Sequence, residues 1–332
     1  MKESKSNILG RGCLSLLIFS SFISVVECKA VEGMKSIRDV ISHTQRHWVG
    51  DGFHVIPVFA NKAFTNDMSP FLMFDYAAPK EFSPTKKRLG VGQHPHRGFE
   101  TITLAFQGEV EHADSQGNRG VIGAGDVQWM TAARGIVHEE FHSTKFAQSG
   151  GVFEMCQIWL NLPKEKKMIP PRYQGITTQD IPKAPLVLSD SCTNGEEKSS
   201  AEDGYVRVIA GHFNGHTGPA DTHSPVNLWD ITIAQADRPY DFHIEDGHNT
   251  VIFVRRGGVT ILDKNLKFQD VAIMSYEGDK VTITAREANT QVLVLSGQPL
   301  NEPIANHGPF VMNTRAELEQ AFMDYQTGRN GF

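Results

Sequence analysis

Two short strings in this chain carry side chains that bind metals. His94 and His96 stand two residues apart in Gly92-Gln93-His94-Pro95-His96-Arg97-Gly98, and His138 and Glu140 stand two apart in Ile136-Val137-His138-Glu139-Glu140. Residues i and i+2 of a β-strand project to the same face. Two such strands facing each other inside a barrel supply three imidazoles and one carboxylate, a borderline donor set suited to a first-row divalent ion. One metal ion per chain follows. Four protein donors leave two positions of a six-coordinate ion open, which suits Fe(II) binding O2 or a substrate oxygen. A closed tetrahedral zinc site is the structural alternative, and Mn, Ni and Cu share the same donor types. A lone His-x-His pair is weak evidence, because such pairs also lie on wetted strands; the force comes from two pairs together.

The neighbouring residues extend the expectation. If the first strand runs on regularly, Glu100, Ile102, Leu104 and Phe106 share the face of His94 and His96, while Thr101, Thr103 and Gln107 form the outer face. His142 continues the face of His138 and Glu140, as a donor behind the site or a surface residue. Glu139 should point away. Trp129 reads as core or pocket wall. His112, just before a Gly117-Asn118 turn, reads as exposed.

The elements that must position these residues are strands. Short apolar or alternating runs at 53–59, 101–106, 127–131 and 152–162 are separated by Gly, Pro, Asn and Asp. The stretch 71–87 reads as a loop that shapes the pocket. Five prolines between 163 and 185 mark a connector, with a disordered tip at 192–200. The β-pattern returns at 206–209, 228–233, 251–254, 259–262, 271–274, 281–284 and 292–295. One helix is expected at 314–325, with Thr314 as N-cap, Glu317 completing a capping box, and Leu318, Ala321 and Phe322 as its apolar stripe. The fold class is therefore all-β, with a short C-terminal helix. The divisions are a leader at 1–33, a first β-domain at 34–162, a connector at 163–203 and a second β-domain at 204–332.

Composition excludes several classes. The 332 residues carry 32 Lys+Arg against 38 Asp+Glu, a net charge of -6, with 40% hydrophobic and 21% charged residues. That is globular rather than disordered, and it lacks the basic surplus of a nucleic-acid binder. Cys156 reads as a buried core thiol and Cys192 as a loop residue, and no CxxC pair is present. Lys2, Lys5 and Arg11 precede an apolar run at 13–26, with Cys28 and Ala30 as small residues before a cleavage point. This is the layout of a secretory signal peptide, too short to span a membrane comfortably. A secreted or periplasmic protein with no membrane segment after leader removal is expected. The alternative is a start at Met34 and a cytoplasmic protein.

His94-Pro95-His96-Arg97-Gly98-Phe99-Glu100-Thr101 resembles the signature of the pirin family within the cupin superfamily. So do Gly125-Asp126-Val127-Gln128-Trp129-Met130-Thr131-Ala132 and Gly135-Ile136-Val137-His138. The resemblance extends through 47–52, 114–118, 297–304 and 308–314, and so covers the chain from Met34 to Phe332. It implies a bicupin, two tandem β-barrels, with one iron-type site in the first. The implied ligands are His94, His96, His138 and Glu140, while Glu100 matches a carboxylate that other cupins use, here a partner behind the site or an occasional ligand. The implied activity is an Fe(II)-dependent dioxygenation of the quercetin 2,3-dioxygenase type. A small aromatic flavonol and O2 would be the partners, carbon monoxide a product, and Glu140 or Glu100 the acceptor of the flavonol proton. The alternative is a non-enzymatic, metal- or redox-dependent regulator that binds a protein partner. Three features depart from the pattern: the leader, Glu139 where the family carries a small residue, and a second barrel whose His243 and His248 form no paired motif. Both of these histidines are expected on exposed loops, and Glu139 is expected to repel anions at the barrel mouth.

Overall fold

The structure, a computed structural model, describes residues 33–42, 45–189 and 201–332. The expected leader, up to residue 32, and the tip at 192–200 lie outside the described residues. The expectation of two tandem barrels holds. Each is built from a seven-stranded sheet and a four-stranded sheet. In the first barrel the large sheet is centred on Phe99–Gln107, Gly151–Asn161 and Phe71–Phe82, and the small one runs in the order Gly90–His96, Ile136–His142, Val110–Asp114, Arg119–Ile122. In the second, Val226–Ile233, Asn249–Arg256 and Thr290–Gly297 lie at the centre of the large sheet.

The two large sheets pack back to back. Phe74, Tyr76, Leu104 and Ile158 from one interlock with Leu228, Val251, Phe253 and Leu295 from the other. Their central strands are therefore buried on both faces, and such strands read as continuous apolar runs rather than alternations. This corrects the expectation of a loop at 71–87. Phe71–Phe82 is a twelve-residue strand, paired antiparallel with Gly151–Asn161 so that Asp75 faces Gln157 and Tyr76 faces Cys156. Cys156 is a buried free thiol.

The chain crosses between barrels at both ends. Ile37–Ser42 pairs with Asp270–Met274 and so extends the second barrel's sheet, although it precedes the first barrel in sequence. The C-terminal helix, Arg315–Thr327, docks on the first barrel through a buried ion pair between Arg97 Nη1 and Asp324 Oδ2 at 2.8 Å. Thr314 and Glu317 form the expected capping box, and Leu318 and Ala321 are buried. The segment between the barrels is structured rather than a plain linker. Arg172–Ile176 pairs with Val127–Thr131 of the first barrel, and Lys183–Pro185 with Gly204–Ala210 of the second. Both additions share a backbone ladder with a barrel strand, which satisfies their polar groups.

Apolar side chains fill the second barrel, among them Val208, Trp229, Ile231, Phe242, Ile252 and Ile283. His243 is exposed at the end of its strand. His248, against expectation, is buried, with its Nδ1 3.2 Å from Ser296 Oγ. No helix among the described residues is long and apolar enough to cross a membrane.

Candidate metal centre

The two strands that carry the paired motifs are direct neighbours. Gly90–His96 runs antiparallel to Ile136–His142 with His94 opposite His138, and a bulge falls between His138 and Glu140. Alternation along the second strand survives the bulge, and Ile136, His138, Glu140 and His142 are all buried. The three imidazoles converge. Ring centroids are 4.3 Å apart for His94 and His138, and 4.8 Å for His96 against each of the others. One nitrogen from each lies within 4.8 Å of the other two, a group able to hold a metal ion.

The protonation chemistry favours ligation. Burial, then the neighbouring imidazoles, push His96 and His138 well below the ordinary histidine range, so both are neutral at pH 7 and keep a lone pair to give. His94 Nδ1 donates to the Gly92 carbonyl at 2.8 Å, which leaves its Nε2 as the lone-pair nitrogen. His138 has both ring nitrogens buried with no hydrogen-bond partner among the described residues. An unpaired buried polar atom costs about 1–3 kcal/mol, and a cation taking the lone pair removes that cost. The residues present fit a divalent ion.

Glu140 lies on the wall of the same cavity but outside the tight histidine cluster. Gln157 Nε2 donates to its two oxygens at 2.9 and 3.2 Å, and Thr103 Oγ1 donates to Oε1 at 3.2 Å. Thr103 therefore faces inward and is fully buried, as is Thr101, which corrects the outer face expected for them. Glu100 is displaced from the site for the same reason. The first strand ends at His96 and the next begins at Phe99. Gly98 makes the break with φ +89°, where a Cβ would come 1.9 Å from the Val311 carbonyl oxygen. The chain re-enters in the other sheet with its faces exchanged. Glu100 then points with Ile102 and Leu104 toward the inter-barrel side and accepts from Thr131 Oγ1 at 2.6 Å. Burial raises its carboxyl to about 7. Trp129 lies in that same inter-barrel core, away from the cavity. Lys167 fixes the Gly98 turn by donating to the carbonyls of Gly98 and Val311.

His142 is buried, but its partners are the Gly52 carbonyl at 2.9 Å and a cage of phenylalanines, with Phe153 stacked at 4.4 Å, rather than the triad. His112 is buried, not exposed, because Tyr173 from the connector covers it, its hydroxyl 2.6 Å from His112 Nε2. Glu139 points outward as expected. Its charge is met by Arg88 at 2.9 Å, so it forms no acidic rim to the cavity.

The triad opens into a cavity of about 420 Å³. Val49, Phe53, Met73, Met155 and Trp159 give it apolar walls, and Asp75, Glu140 and Gln157 supply polar points. Trp159 stacks on Phe99 at 4.2 Å and meets His96 edge-on at 5.1 Å. Asp75 and Gln157 were missed in the sequence. Their signal was present in hindsight: each is a lone polar residue inside an apolar run buried on both faces.

Comparison with known proteins agrees with this architecture. Residues 52–160 match the Pirin family model, and residues 228–331 match that of the Pirin C-terminal cupin domain. A Pseudomonas aeruginosa protein with the provisional name quercetin 2,3-dioxygenase is 46% identical over 296 residues, covering 89% of this chain and 98% of its own. A pirin-like protein of Solanum lycopersicum is 34% identical over 299 residues, covering 89% and 92%. The crystal structure of a quercetin 2,3-dioxygenase from Acinetobacter baumannii superposes with a TM-score of 0.82 at 46% identity, covering 89% of this chain and 98% of that one. With both barrels matched by the family models and 89% of the chain matched by relatives 46% identical, the chain belongs to the pirin family.

Proposed function

We propose that the protein is a metal-dependent dioxygenase of the quercetin 2,3-dioxygenase type, acting on flavonol-like aromatics with O2. The observation that carries this reading is a convergent histidine triad, with His96 and His138 buried and neutral, opening into a largely apolar cavity of about 420 Å³, a volume within the usual range of small-molecule sites. The names of relatives 46% identical over nearly their whole length support it. His94, His96 and His138 would hold the ion, with Glu140 as a fourth donor on the same strand as His138. Fe(II) is our assignment, since the donor set leaves room for O2, and Mn, Ni and Cu are the alternatives. The bound ion would supply a Lewis acid for substrate oxygens and an electron path to O2. The chain does the rest. Trp159, Phe53 and Val49 exclude water and hold a planar ring, and Gln157 with Thr103 fixes the Glu140 carboxylate. The leader fits export, with a mature N-terminus near Val31, which intact mass from the native source reads directly.

The test is oxygen uptake and carbon monoxide release by the protein loaded anaerobically with Fe(II), after addition of quercetin, with His138→Ala as control. Uptake that depends on His138 is expected. A fully iron-loaded protein that consumes no O2 with any flavonol overturns the reading and leaves the regulatory one. Gln157 gives a second check. Partners that orient metal ligands are worth about 10–100-fold in affinity, so Gln157→Leu should weaken metal binding by that factor in a chelator competition. A change below about 2-fold would remove Glu140 and its partner from the metal site.

A further inference from the structure

Three carboxyl groups lie in or near the first barrel's centre, and their surroundings differ. Glu100 is turned toward the inter-barrel side. Glu140 is engaged by Gln157 and Thr103. Asp75 lines the cavity beside Met73 and Trp159, is 8% exposed, and accepts a hydrogen bond from no described residue. Its strand places it opposite Gln157, so it belongs to the sheet wall that faces the triad's strands across the cavity. The titratable groups sharing the cavity with it are His47, His94, His96 and Glu140, and none is a fixed cation. A largely buried carboxyl whose oxygens meet only the cavity and no protein donor is poorly solvated, which is costly, and such perturbed groups cluster where a reaction needs a proton acceptor. In the metal-free protein burial alone lifts it to about 7, toward the range in which a carboxyl takes and releases a proton near neutrality.

We propose that Asp75 is the general base of this site, accepting the hydroxyl proton of a planar substrate whose hydroxyl adjoins a ring carbonyl. This rests on the dioxygenase reading and deepens it. In the step, the substrate O–H bond breaks and an O–H bond forms on an Asp75 carboxyl oxygen. The electron pair stays on the substrate oxygen, and nothing is oxidised or reduced. The substrate class is thereby narrowed to aromatics with an ionisable enolic or phenolic hydroxyl. An O-methylated analogue would bind but not react.

The experiment is an anaerobic titration of the metal-loaded full-length protein, wild type and Asp75→Asn, with quercetin and separately with maltol, a ring hydroxyl beside a ring carbonyl that is neutral in water at pH 7; the spectra of both report ionisation of the hydroxyl. Wild type should bind both as the anion at pH 7 without releasing a proton to a weakly buffered solution. Asp75→Asn should keep full metal content and bind quercetin in its neutral form, or release the proton to solvent. Its turnover should fall by about 10²–10⁴-fold, the range of a general base. Equal spectra, equal proton release and equal turnover in the two proteins overturn the assignment. So does loss of metal from Asp75→Asn, which would make Asp75 part of the metal site. If wild type neither binds nor turns over quercetin, the dioxygenase reading fails, and maltol alone decides Asp75: identical bound spectra and identical proton release overturn it. Asp75→Ala serves if the Asn variant does not fold.

Discussion

His138→Ala abolishes stoichiometric metal binding and leaves the barrel folded. The side chain is fully interior, and both its nitrogens are without partners among the described residues, so in the metal-free protein it contributes packing and no hydrogen bond. Removing one of three converging imidazoles also leaves His94 and His96 as an adjacent pair on one strand. Since loss of a mere supporting partner costs about 10–100-fold in affinity, loss of a donor should cost more than about 100-fold. Two measurements check this. After anaerobic loading and desalting, wild type should retain about one ion per chain, since the described residues hold one such histidine triad, and the variant essentially none. In melting experiments, ligand present at 100 times its dissociation constant stabilises a fold by about 2.7 kcal/mol; wild type should gain that from Fe(II), and the variant nothing. The metal-free variant should melt close to metal-free wild type, because an unsatisfied buried imidazole has been exchanged for a small cavity and the two effects oppose each other. A double variant, His94→Ala with His138→Ala, that still holds iron at unchanged stoichiometry would move the metal elsewhere.

The triad was legible because side-chain alternation in a strand is local: two residues apart means one face, whatever the rest of the chain does. Glu100 failed the same reasoning because it lay past a break. Gly98 turns the chain where a carbonyl from Val311, over two hundred residues away, closes against it, and nothing local announces that contact. Thr103 and Glu100 exchanged faces together. Phe71–Phe82 was hidden by a different cause. A strand covered by barrel interior on one side and by a second sheet on the other shows no alternation, and its Asp75 and Pro79 mimic a loop. His112 was misjudged because its cover, Tyr173, comes from a segment whose prolines suggested a linker. The helix at 315–327 was read to within two residues, since the Thr314–Glu317 box is a local hydrogen-bond pattern. The crossing of Ile37–Ser42 to the second barrel is a matter of long-range pairing that no local signal encodes.

Asp75→Asn should stabilise the metal-free fold by an amount that grows with pH. The carboxyl titrates near 7 when folded, raised by burial, and near 3.9 in an unfolded chain. Between these values the folded state binds more protons than the unfolded one, so wild-type stability from this group falls as pH rises. The loss begins near pH 4 and is complete above about 7, where it reaches up to about 4 kcal/mol for a shift of about three units. Asparagine does not titrate. The offset between the two proteins includes the cost of burying the amide, so the sign of the change with pH, rather than the offset, carries the test. Glu100, His96 and His138 titrate in both proteins and cancel in the difference. The stability of Asp75→Asn relative to wild type, from denaturant unfolding without metal, should therefore rise by about 2–3 kcal/mol between pH 5 and pH 8. A flat difference would mean that the carboxylate is already solvated or paired, and Asp75 would lose its claim to be held ready for a proton. A rising one would show the fold carrying an uncompensated acid on the wall of the triad's cavity, the condition that a carboxyl held ready for a proton requires.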